Sequence, residues 1–225
     1  MGHRRAGHAL LIVAAALPLA FLSLRALRGD LGANPIETIE HTTGDWALRS
    51  LLAALAVTPL RRLTGWNGVI RYRRTVGLIA FSYVCLHFLI YVMIDQGFPF
   101  QGFAIKYIAK DIAKRPYVTV GFSALLLLIP LAWTSTKGWI RQLGGARWNA
   151  LHRLIYPAAA LASLHYLWLV KGKQWTPVWY ALAVVLLLAL RLRPGRPTAR
   201  PRAPDAPRTD DSRPPRSPAT VPSPS

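Results

Sequence analysis

Acidic residues are scarce, with nine Asp and Glu against 28 Lys and Arg, so the 225-residue chain has a formal net charge of +19. Cysteine is scarcer still. The single Cys85 excludes an internal disulfide and any multi-cysteine metal site. No CxxCH occurs, which excludes covalent c-type haem. There is no GxGxxG or similar nucleotide-binding turn, so a nicotinamide-oxidising domain is not expected. Nor is there a Ser-His-Asp set or a carboxylate pair arranged for hydrolysis.

What the chain has in abundance is apolar: 52% of its residues are hydrophobic. A strongly basic chain raises nucleic acid as a partner. Here the charges form short clusters between long apolar runs, the pattern of a multi-spanning membrane protein rather than of a nucleic-acid-binding stripe.

Six apolar segments stand out, at about 8–28, 46–63, 75–95, 117–134, 148–170 and 176–191. Each is near the length that crosses a hydrocarbon layer of about 30 Å at about 1.5 Å per residue. Pro18, Pro59, Pro130 and Pro157 lie in or near these runs, where membrane helices tolerate them once neighbours satisfy the freed carbonyls. The first segment follows Arg4 and Arg5 but is long and lacks a clear A-x-A site, so it is expected to be a retained helix rather than a cleaved signal. The expected fold is an all-α, polytopic bundle of six transmembrane helices.

Loop charge sets the expected orientation. Arg4 and Arg5, then Arg61, Arg62, Arg71, Arg73 and Arg74, then Lys137, Arg141 and Arg147, then Arg191, Arg193 and Arg196 all fall on one side with no acid among them. The alternate loops hold Asp30, Glu37, Glu40 and Asp45, then a mixture of Lys106, Lys110, Lys114 and Arg115 with Asp95 and Asp111, then only Lys171 and Lys173. The positive-inside rule then makes both termini cytoplasmic. Residues 1–193 form the expected membrane domain. Ten of the 18 prolines fall in 194–225 together with Arg, Ser, Thr and Asp, so that stretch is expected to be a disordered cytoplasmic tail.

Three of the six histidines, His87, His152 and His165, fall well inside apolar segments, whereas His8 stands at the N-terminal edge of the first. An ionisable residue there is expensive and is a functional hypothesis by default, although a neutral imidazole can also tie helices together. Segments three and five enter from the same side. His87 is 12 residues past Thr75, roughly 18 Å in, and His165 is 15 past Ala150, roughly 22 Å in, so the two reach nearly one level. Two neutral imidazoles at one level can take both axial positions of a haem iron in a bundle core. His152 is about 20 Å lower and cannot share that iron, which leaves it a second haem, a flavin or a structural contact. Zinc would want three or four ligands, and no Asp, Glu or further Cys joins the histidines at that level. Arg49 on the outer side, and Arg74 and Arg153 on the inner side, stand where haem propionates could be met.

The stretches TPLRRL (58–63), RRTVGLIAFSYVCLHFLIY (73–91) and WNALHRLIYPAAALASLHYLWLVK (148–171), with NPIETIEHTTGDWALR (34–49), resemble the MsrQ family of haem-binding membrane subunits within the ferric-reductase-like transmembrane superfamily. The similarity covers about residues 10–190. It implies a six-helix protein of the bacterial inner membrane that binds haem b, with FMN also associated. Such subunits pass electrons from the quinone pool or a cytoplasmic flavin reductase to a periplasmic molybdopterin methionine-sulfoxide reductase, which repairs oxidised envelope proteins. They are electron-transfer subunits, not the catalytic one. By the same resemblance, haem ligation maps onto His87, His152 and His165, and the iron is their metal. Two other classes stay open: a stand-alone membrane ferric or metal reductase, and a non-redox membrane scaffold.

Overall fold

The computed structural model describes residues 2–95, 105–170 and 175–192. The expected tail at 194–225, and Lys171 and Lys173 of the last loop, lie outside the described residues. Every regular element among the described residues is helical: α1 Gly2–Leu27, α2 Pro35–Thr64, α3 Arg73–Ile90, α4 Ile105–Lys114, α5 Pro116–Trp133, α6 Lys137–Leu151, α7 Ile155–Val170 and α8 Thr176–Leu192. A short 3₁₀ helix, Asn67–Tyr72, leads into α3, and a wider π-type turn, Tyr91–Asp95, closes it.

The second helix corrects the sequence reading. It begins at Pro35, 11 residues before the expected start at Trp46, and takes in most of the acidic stretch assigned to a loop. Its capping residues explain the early start. The Asn34 side chain accepts the Glu37 backbone N–H at 3.4 Å and donates to the Glu37 carboxylate at 2.9 Å, while Pro35 occupies the first helical position. Gly65, with φ +69°, ends the helix and returns its N–H to the Arg61 carbonyl.

The fifth segment is also corrected, because it is not one helix. Residues 148–151 close α6, a 3₁₀ turn covers His152–Leu154, and α7 starts only at Ile155. Pro157 supplies the reason. Its ring has no N–H to give the Arg153 carbonyl and clashes with it, so the chain tightens just ahead of the proline. The helices α4 and α6 were not anticipated.

Among the described residues, three stretches can cross a membrane by length and composition: Ala6–Leu27, Asn67–Ile94 and Pro116–Trp133. Thr176–Arg191 is apolar but shorter, α7 has 16 residues, and α2 is long but charged in its first half. The outer surface is greasy. Leu17 and Phe21 on α1, and Trp179, Val185 and Leu186 on α8, are all more than half exposed. The buried centre mixes Leu51, Leu55, Leu128 and Leu131 with the small residues Ala80, Ala158 and Ala159. Small residues let helices approach closely where lipid tails are as apolar as the core.

Within the bundle α2 packs mainly on α3, and α5 on α7. The starts of α2 and α5 therefore meet the ends of α3 and α7 at one end of the molecule. At the other end, Arg191 is buried: it donates to Thr58 Oγ1 at 3.0 Å and lies 5.6 Å from the centre of the Tyr156 ring.

Candidate functional site: a paired-histidine cavity

A cavity of about 480 Å³ opens at the end where α2 and α5 begin. That volume is within the range of small-molecule and cofactor sites. Its walls include Glu40, Gly44 and Leu48 of α2, His87 and Phe88 of α3, Tyr117 and Gly121 of α5, and His165 and Tyr166 of α7. Arg115, just ahead of α5, stands on the wall in an ion pair of 3.0 Å with Asp111. The π-type turn after α3 aims the Tyr91 hydroxyl at the same Asp111, 2.6 Å away.

His87 and His165 face each other with ring centres 6.4 Å apart and planes inclined at 67°. His87 Nδ1 is 3.2 Å from the Glu40 carbonyl oxygen, and His165 Nδ1 is 2.7 Å from that of Tyr117. A carbonyl only accepts, so each Nδ1 carries the proton and each Nε2 keeps a free lone pair. Metal-ligating histidines are typically held this way, one ring nitrogen donating to a carbonyl while the other binds. The spacing agrees. Two metal–imidazole bonds of about 2 Å, plus the distance of about 1 Å from nitrogen to ring centre on each side, put ring centres about 6 Å apart. Among the described residues, no group of three or more His, Cys, Asp or Glu side chains could hold a bare metal ion.

The other residues singled out from the sequence are not on this wall. His152 lies in the 3₁₀ turn, its Nδ1 3.1 Å from the Trp148 carbonyl and its ring stacked 3.8 Å from that of Trp148. Its Nε2 is buried with no hydrogen-bond partner among the described residues. Arg49 is exposed in mid-helix and donates to the Tyr180 hydroxyl at 2.6 Å. Arg74 and Arg153 are exposed, whereas the neighbouring Arg73 is half-buried.

Comparison with known proteins gives the chain a family. Residues 43–163 match the family model described as a ferric reductase like transmembrane component. A relative from Rhodospirillum rubrum is 53% identical over 190 residues, covering 84% of this chain and 89% of its own length. Others from Herminiimonas arsenicoxydans (50% over 185 residues; 81% and 83% covered) and Caulobacter vibrioides (46% over 187; 83% and 87%) are similar. All three are named protein-methionine-sulfoxide reductase heme-binding subunit MsrQ.

The chain belongs to the MsrQ family. It is therefore a membrane protein of the ferric-reductase-like class, helical in every regular element among the described residues. The stretch matched to the family model takes in His87 and His152 and stops two residues short of His165. Sequence reasoning missed Tyr117, whose carbonyl holds His165, and the two wall glycines. Their one signal was glycine inside an otherwise apolar or amphipathic run.

Proposed function

We propose that this chain binds haem b between His87 and His165 and relays electrons across the bacterial inner membrane to a periplasmic molybdopterin methionine-sulfoxide reductase. The observation that carries this reading is the facing imidazole pair with both Nδ1 atoms engaged by carbonyls. When bound, haem supplies reversible one-electron chemistry. The chain's own residues do the rest. Helices α3 and α7 hold the two ligating nitrogens, and the carbonyls of Glu40 and Tyr117 fix their tautomers. Arg115, steadied by Asp111, is the guanidinium we assign to the haem carboxylates.

The names of the relatives support haem and the methionine-sulfoxide reductase partner. Loop charge supports six crossings with both termini in the cytoplasm and the cavity at the periplasmic end. Quinol or a cytoplasmic flavin reductase is the donor in this reading, and FMN is a second cofactor, to be checked by flavin fluorescence of an acid extract.

The test is spectroscopic. The purified protein should show a low-spin b-type spectrum in oxidised and dithionite-reduced forms, quantified as the pyridine haemochrome. His87→Ala and His165→Ala should each abolish it. Methionine sulfoxide plus the catalytic subunit should reoxidise the reduced haem, and the subunit should be required. A colourless wild type, or spectra indifferent to both substitutions, refutes the ligand pair. Ferric reduction that proceeds at full rate without the catalytic subunit refutes the relay.

A further inference from the structure

Each histidine of the pair leans on a neighbouring helix, and the two resting places have the same construction. His87, carried by α3, lies against α2, where the Glu40 carbonyl takes its Nδ1–H and Gly44 follows four residues later. His165, carried by α7, lies against α5, where the Tyr117 carbonyl takes its Nδ1–H and Gly121 follows four residues later. Residues four apart stand one above the other on a helix face. The carbonyl and the bare glycine backbone therefore make one continuous patch on which the ring lies.

Neither patch has room for a methyl group. A Cβ added at Gly121 would lie 2.8 Å from His165 Nδ1 and 3.0 Å from its Cγ and Cε1. At Gly44 it would lie 3.2 Å from His87 Cε1 and 3.4 Å from Nδ1. In both cases the obstructed group is the stiff ring itself rather than the end of a flexible chain. The first approach is closer than real Cβ contacts come, and the second demands a shift of a few tenths of an ångström. Gly77, also inside α3, has nothing within 4 Å of a would-be Cβ, so not every helical glycine here is a contact.

We propose that Gly44 and Gly121 are positioning residues for the axial ligands: with the carbonyls of Glu40 and Tyr117 they form two matching seats that hold the His87 and His165 planes at their 67° inclination. This rests on the haem reading above. The inclination of two axial imidazoles governs how the iron d orbitals split, so a steeply crossed pair has a highly anisotropic ferric EPR signal with large gmax, and a near-parallel pair a rhombic one. Ligand orientation set by surrounding groups is one of the levers by which a protein tunes a metal site.

The test compares Gly44→Ala, Gly121→Ala and, as a control for the helix effect of alanine, Gly77→Ala, each in the purified full-length haem protein. Wild type should give the large-gmax signal. Gly121→Ala should shift gmax and the midpoint potential most, Gly44→Ala less, and Gly77→Ala not at all, with the haem:protein ratio of Gly77→Ala unchanged. If Gly121→Ala does not accumulate or loses haem, Gly44→Ala decides alone. Signals and potentials of both seat variants that coincide with those of Gly77→Ala overturn the seats while leaving the haem reading intact. A wild type without bis-histidine haem overturns the haem reading itself.

Discussion

At the residue scale, the three membrane histidines separate into a pair and a single. His87 and His165 share a cavity, while His152 is stacked on Trp148 one 3₁₀ turn ahead of α7. We expect His152→Ala to keep the spectrum of the His87–His165 haem, including its EPR signature, and to lose stability through the missing stack on Trp148. The check is a difference spectrum beside a thermal melt; loss of the low-spin bands in this variant would refute the separation. The pairing itself was legible in the sequence, since counting residues along two helices that enter from one side brings 87 and 165 to one level. The seats were not legible. A carbonyl has no sequence signature, and a glycine's value as a close approach depends on which helix lies across it.

At the element scale, helices α2 and α5 do the seating and α3 and α7 do the carrying, so the start of α2 matters to the site. Asn34 caps that start by accepting the Glu37 N–H, and Glu40, whose carbonyl holds His87, lies less than one turn beyond Glu37. Asn34→Ala should cost about 1 kcal/mol. For a domain of this size that is a fall in Tm of roughly 2–4 °C, read by circular dichroism in detergent. The apo protein should show a fall too, because the cap acts on the helix itself; an unchanged Tm would show that the helix start is held by other contacts. The sequence hid this element because hydropathy alone places a segment where charges stop. In α2 the charged first half is helical for local reasons of capping. The same blindness ran the fifth segment straight through His152–Leu154, where the chain tightens into a 3₁₀ turn ahead of Pro157.

At the scale of the whole molecule, the position of the pair constrains the route of an electron. His87 is 14 residues beyond Arg73, so the cavity is about 21 Å along α3 from the basic end of the bundle. Haem held between this pair would stand close to the end where α2 and α5 begin and far from the other. A quinol dissolved in the bilayer can approach such a centre from its own side, whereas a water-soluble donor at the basic end faces that whole depth unless another centre lies between. The acceptor faces the opposite case. In proteoliposomes of defined orientation, the catalytic subunit with methionine sulfoxide should reoxidise haem from the face carrying Lys110 and Lys114. From the face carrying Lys137 it should not do so on the same time-scale. An impermeant amine reagent and peptide mapping would assign the faces, since all three lysines are exposed. Labelling of Lys137 and Lys110 from one face would refute the topology, and equal reoxidation from both faces would place the electron's exit elsewhere than this cavity. With the sidedness established, reduction by quinol in both orientations, against reduction by a flavin reductase only at the Lys137 face and only in chains holding a second redox centre, separates the two donors by geometry.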